Sequence, residues 1–152
     1  MLDATLQETL YKQSVRKFFT DYIEGVKGKK VFFDRQYSIP KDDSGDDLTN
    51  WIVVGFEGID IDTASTGMLE VLCFSRKDEG GIVLSTLRDI IIEMMVDETM
   101  PDGCARIPYY DAGWTQIGGM LAYVDTRNAG IQYGADGTLF KVINVTLRWG
   151  TK

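Results

Sequence analysis

The sequence predicts an α+β domain: a mostly antiparallel β-sheet with an N-terminal helix and one central amphipathic helix packed on it. Two observations carry this. Apolar residues recur at helical spacing in two stretches, one near the N-terminus and one over residues 82–97. The rest of the chain is runs of β-branched and aromatic residues broken by turn-like sequences, in the order helix, strand, hairpin, helix, several strands. A chain of 152 residues, 44% hydrophobic and 26% charged, is long enough for one domain over 1–152 with a core of its own.

The first helix is expected over residues 2–26. Leu6, Leu10, Phe18, Tyr22 and Val26 are spaced at multiples of four, and Val15, Phe19 and Ile23 widen the stripe. Asp3 is the candidate cap, and Gly25 or Gly28 the stop. "VFFDRQY" (31–37) is a strand. "KDDSGDD" (41–47) is a solvated, mobile loop, since it has nothing to bury and its like charges repel. "WIVVGFEGIDI" (51–61) and "MLEVLCFSR" (68–76) form a hairpin around the turn "DTASTG" (62–67).

The second helix, "IVLSTLRDIIIEMMVD" (82–97), turns Val83, Leu87, Ile90, Ile91 and Met94 to one face and Arg88, Asp89 and Glu93 to the other. Pro101 and Gly103 end it. Strand-prone segments follow at "ARIPYYD", "GMLAYVD" and "GIQYG", then a tight turn at "GADG" (134–137) and the closing strand "GTLFKVINVTLRWGTK" (137–152). In that last strand Ile143, Val145, Leu147 and Trp149 alternate with polar residues, but Phe140 and Val142 fall on the opposite parity. Two explanations are open: a β-bulge near Val142, or a strand buried on both sides at its start. Either way a strand this long must pair or be covered, because a bare edge invites aggregation.

Composition excludes several function classes. There is no histidine, so the commonest general base and metal ligand are missing. Cys73 and Cys104 are isolated and read as small buried hydrophobes. No phosphate loop and no nucleophile elbow occurs; "KDEGG" lacks the spacing and the lysine. "KDDSGDD" fails as a calcium loop, because Asp47 stands where glycine is needed and no glutamate closes it. We therefore expect no enzyme, no cofactor and no metal. Net charge is −7, with residues 1–41 at +3 and residues 42–152 at −10, a poor balance for gripping nucleic acid. No run of about 18 apolar residues points to a membrane helix, and the N-terminus does not begin as a signal peptide, so a cytoplasmic origin is expected. Tyr109, Tyr110, Trp114 and Tyr123 read either as a stacking platform for a ligand or as core and interface residues, and the acidic surroundings favour the second.

The chain as a whole resembles the tail terminator (tail completion, head–tail joining) proteins of long-tailed bacteriophages. The likeness rests on its length, on the N-terminal helix followed by "KKVFFDRQYSIP", on the "NWIVVGFEGIDI … MLEVLCFSR" hairpin leading into "IVLSTLRDIIIEMM", and on the ending "DGTLFKVINVTLRW". It covers most of residues 2–149 and contains no catalytic signature.

The resemblance implies a virion protein at the head–tail junction, made in the host bacterial cytoplasm. It would form a ring, usually of six copies, that ends tube polymerisation and docks the head. Its partners would be itself, the major tail tube protein and a head-completion or neck protein. Genomic DNA would pass through without specific binding, which suits an acidic wall. On this reading Asp42, Asp43, Asp46, Asp47, Asp60, Asp62, Thr63 and Ser65 face the lumen or a partner. Arg76, Lys77 and Arg127 pair with a neighbour's acidic groups. The loops 40–50 and 61–68 are expected to order only on contact with neighbours. The alternatives are another neck or tail-tube component, a small-molecule-binding α+β domain with the tyrosine–tryptophan cluster in its pocket, or a carboxylate and metal enzyme.

Overall fold

The C-terminal strand lies in the middle of the sheet. A computed structural model of the chain describes residues 7–34, 39–61, 64–125, 130–134 and 136–150. It contains β1 (Val31–Phe33), β2 (Asn50–Asp60), β3 (Ala64–Ser75), β4 (Ala105–Tyr110), β5 (Gln116–Val124), β6 (Gln132–Tyr133) and β7 (Leu139–Gly150). The strand order is β1-β2-β3-β7-β5-β4, with β6 also paired to β7. Among the described residues only β1–β2 is parallel; the other pairings are antiparallel. β7 is paired with β3 along its whole length and, on its other side, with β5 over Val145–Arg148 and with β6 over Leu139–Phe140, so it is an inner strand with most of its backbone groups used.

Two helices, α1 (Gln7–Phe19) and α2 (Ile82–Met95), pack on one face of this curled sheet. Beyond Phe19 the first helix continues as π-helical turns over Thr20–Val26, with the Lys27 amide donating to the Tyr22 carbonyl at 3.0 Å. The wider turn shifts the buried stripe. Tyr11, Val15, Phe19 and Ile23 enter the core, while Val26, expected inside, is 68% exposed. A π turn takes more than 3.6 residues, so it carries Val26 past the face it would occupy in a regular helix. Gly28, at φ +68, ends the segment. Asp3 and Leu6 lie outside the described residues.

In α2 the buried residues are Leu84, Leu87, Ile90, Ile91, Met94 and Met95; Val83 is exposed and Leu84 takes the place expected for it. The start of this helix is set by Asp78. Its carboxylate accepts from the Val83 amide (3.1 Å), the Leu84 amide (2.9 Å) and the Ser75 hydroxyl (2.9 Å), capping across a bend at Gly80 and Gly81. Burial pushes the Asp78 carboxyl up, but these donors together outweigh it and hold the group below the ordinary range.

The core of β2, β3 and β7 alternates as the period-2 rule requires. Ile52, Val54, Leu69, Val71, Ile143, Val145, Leu147 and Trp149 face the helices. The β3–β7 register runs without interruption from Ala64↔Gly150 to Ser75↔Leu139, so there is no bulge at Val142. The strand is instead buried on both sides at its start. Phe140 and Leu72 pack on the outer face against a second cluster of Trp51, Val53 and Phe74, with Ile39 and Leu48 laid over it. Trp51 and Phe74 stack at 5.1 Å between ring centres, and Phe74 and Phe140 approach at 5.7 Å. The only register shift in the β2–β3 hairpin falls between Phe56 and Ile59.

Of the segment expected as the turn 62–67, residues 64–67 are strand, since β3 begins at Ala64, and 62 and 63 lie outside the described residues. The outer edge of the sheet at β4 is blunted. Pro108 sits within it, Ser14 Oγ accepts from the Tyr110 amide at 2.9 Å, and Gln13 Nε2 donates to the Asp111 carbonyl at 3.1 Å. That ties α1 along the strand edge.

Candidate functional site

The acidic loop is closed on itself by hydrogen bonds. Lys41 and Asp47 form an isolated bridge and an ion pair. The Asp42 amide donates to the Asp46 carbonyl at 2.8 Å, and the Leu48 amide donates to the Pro40 carbonyl at 2.9 Å. Asp42 Oδ1 accepts from the Ser44 and Asp46 amides, each at 2.9 Å. The loop expected to be mobile, and to order only on contact with neighbours, thus has turn hydrogen bonds of its own within one chain. The local side-chain-to-backbone bonds offset charge repulsion, and Ile39 and Leu48 anchor the loop to the outer apolar cluster.

Asp43 and Asp46 remain exposed at the tip. Asp47 is held below the ordinary carboxylate range, chiefly by its hydrogen bond to Lys41. Among the described residues no group of three or more acidic or cysteine side chains could hold a metal.

Of the hairpin-tip residues, Asp60 is exposed on the outer face, whereas Asp62 and Thr63 lie outside the described residues. Ser65 is a correction. It pairs with Trp149 in β3 and is fully buried on the helix side, because its parity is that of Gly67 and Leu69, so it cannot face a lumen or a partner. Arg76 is half-buried and already used: its Nη1 donates to the Leu48 carbonyl at 3.2 Å and its amide to the Thr49 carbonyl at 2.7 Å. It ties the acidic loop to the end of β3. Lys77 is exposed, at φ +54. Arg127 lies outside the described residues.

The four aromatic residues do not form one platform. Tyr109 is buried in the core beside Trp149, at 6.0 Å. Tyr110 and Trp114 approach at 5.9 Å around the β4–β5 turn, where Asp111 Oδ1 accepts from the Gly113 and Thr115 amides. Tyr123 stands on the outer sheet face beneath Arg148, whose guanidinium carbon is 5.5 Å from the ring centre. An open groove of about 210 Å³ between α1, its π-helical extension and β4 is lined by Phe18, Tyr22, Val26, Pro108 and Tyr110, with the Lys17–Asp21 ion pair (2.6 Å) also bordering it. Of the four aromatic residues only Tyr110 reaches it.

Both thiols are buried. Burial pushes Cys73 up to about 12 against the opposing pull of Arg88 and Lys141, so it is no nucleophile at neutral pH.

The feature least visible in the sequence is the outer sheet face. Its lower end is covered by the 39–48 loop. Toward the β2–β3 tip it carries Met68, 45% exposed, and Tyr123, 37% exposed. Asp60 and Glu70 lie on the β2–β3 side, and Arg148 and Arg106 on the β7 and β4 strands. Arg106 lies flat across β5: a Cβ on Gly119 would come within 2.3 Å of its Nε. Glu70 is raised, first by burial and then by its hydrogen-bonded neighbour Glu57. Period-2 alternation announces one dry face per strand, but which second-face residues share a row depends on register.

No protein-family model and no curated protein matches the chain. A solved structure of a protein with no functional name is similar over 93% of this chain and 94% of that one, with a TM-score of 0.60 and 10% identity. At that identity the likeness shows the fold alone.

Proposed function

We propose that this chain is a structural virion protein of a long-tailed bacteriophage, a tail terminator. It forms a ring of six copies at the head-proximal end of the tail tube, ends tube polymerisation and offers the surface on which the head docks. The observation that supports this reading is the one-sided burial of the sheet. The helices cover one face, and the other is left open over β3, β7 and β5 with apolar and charged residues mixed. Such a surface suits an assembling part. The partners are further copies of the chain, the major tail tube protein and a neck protein, with DNA passing an acidic wall.

A small-molecule-binding domain is the second reading, carried by the α1–β4 groove. The dispersal of Tyr109, Trp114 and Tyr123 weighs against it, since no shared pocket gathers them.

The test is light scattering over a wide concentration range with negative-stain imaging, with and without purified tail tubes. Closed six-fold rings, free or capping tube ends, are expected. Long tubes formed by the protein alone would reassign it to the tube. Tubes left uncapped and still growing in its presence would overturn the proposal. Lys77→Glu is the cleaner charge reversal for ring contacts, because Arg76→Glu would also release the loop from Leu48.

A further inference from the structure

The bare half of the outer sheet face is self-complementary, and we infer that two copies pack there face to face about a two-fold axis running along β7. The strand registers carry the argument. One row across the sheet reads Asp60, Thr66, Arg148, Leu121, Arg106, from β2 through β3, β7 and β5 to β4. The next outer row reads Met68, Thr146, Tyr123, and Glu70 stands opposite Asn144 in the row after that. In β2-β3-β7-β5-β4, β7 is the middle strand of five.

A two-fold axis along it places β3 of one copy over β5 of the other, and β2 over β4. Met68 then meets the partner copy's Tyr123, joining the exposed apolar side chains of this half-face. Asp60 comes into the row of the partner copy's Arg106. Arg148, which lies on the axial strand but leans over Tyr123, is carried to the side where the other copy presents Glu70. Asp60 on β2 is set against Arg106 on β4 by the same rotation that brings the apolar pair together; Arg148, on the axial strand, lies opposite its own counterpart and reaches Glu70 only by leaning off the axis over Tyr123.

Four inter-strand spacings of ~4.8 Å and about six residues at ~3.4 Å make a patch of roughly 400 Å² per copy. Two such patches make about 800 Å² in all, below the range of stable specific interfaces, so the dimer is weak and concentration-dependent. It uses the same open face that the assembly reading rests on, so it competes with any ring or docking contact made there; a ring in addition needs a contact that repeats around an axis and does not close at two copies.

Sedimentation at physiological ionic strength, from about 1 to about 300 µM, tests this, since long-range repulsion between acidic copies is screened there. The natural chain is expected to shift from monomer to dimer. Glu70→Arg and Arg148→Glu should each weaken the dimer by about tenfold or more, and Met68→Lys likewise. An equimolar mixture of the Glu70→Arg and Arg148→Glu chains should form a heterodimer, and the doubly swapped chain a homodimer. Met68 and Arg148 are exposed and Glu70 is half-buried beside Glu57, so far-UV circular dichroism with thermal melting checks that each variant is folded.

A chain that stays monomeric throughout overturns the inference. So does a dimer indifferent to these substitutions, or a failure of the mixture to restore it. Ring formation on tail tubes is read separately, so loss of one leaves the other standing.

Discussion

Gly67→Ala probes the tightest contact in the core. Gly67 lies in β3 with an ordinary extended backbone, so no conformational strain arises from the added methyl. The obstacle is Tyr11. A Cβ at position 67 would lie 2.5 Å from Tyr11 Cζ and 2.5 Å from its hydroxyl, well inside the 3.4 Å at which ordinary contact begins. The ring cannot swing away. It is 1% exposed, stacked on Trp149 at 4.9 Å and edge-on to Phe56 at 5.7 Å.

Overpacking of this kind costs ~1–3 kcal/mol. Replacing a strand glycine by alanine returns ~0.5–1 kcal/mol of chain entropy. The net expectation is ~1–2 kcal/mol of destabilisation, or a fall in Tm of roughly 2–8 °C for a domain of this size. Urea melts should show a lower midpoint with an unchanged slope. Tyr11→Leu removes the ring and opens a cavity of its own, but in that background the alanine has room. The double variant should therefore be at least ~1 kcal/mol more stable than the sum of the single effects. A Gly67→Ala chain melting within about 1 °C of the natural one, or strictly additive effects, would refute the steric account.

Tyr11→Phe removes a buried hydroxyl that has no hydrogen-bond partner. Its ionisation is already pushed far up by burial and then by Asp34. The substitution should be neutral or raise Tm by up to ~4 °C, as thermal melts would show. Asp78→Ala should cost ~0.5–2 kcal/mol at neutral pH by removing the cap of α2. The folded-state pKa of Asp78 is depressed, so its contribution is present above the unfolded value of ~3.9 and lost as pH falls through the folded one. The acid limb of the stability–pH curve should accordingly be shallower in the variant. Phe140→Ala should cost ~2 kcal/mol, less than a fully buried phenylalanine, and loosen the 39–48 loop that rests on the outer cluster. Limited proteolysis would then cut within that loop well before global unfolding.

How far the sequence reaches is clearest in particular residues. Periodicity located both helices and the β2–β3 hairpin, because apolar spacing of 3.6 or 2 is a local property of the chain. The dry face of β7 was legible through Ile143, Val145, Leu147 and Trp149. Val26 and Val83 were misplaced, the first because a π turn changes the angular step and the second because the apolar stripe of α2 admits a neighbouring rotation. Ser65 was misplaced because β3 begins at Ala64, which puts the residue inside a strand. Arg76 looked free until the loop that carries Leu48 was folded back onto it.

The sequence by itself determined the fold class, the absence of histidine chemistry and the acidic character of the chain, since each follows from composition or local pattern. Tertiary structure alone decided that β7 is the central strand and that Phe140 turns to a second cluster instead of a bulge. It also decided that Tyr109 is core while Tyr123 is surface, and that Asp60 and Arg106 share a row. These are matters of strand order and register. Both are set by pairing between segments far apart in the chain, where moving one strand by a single residue turns every side chain to the other face.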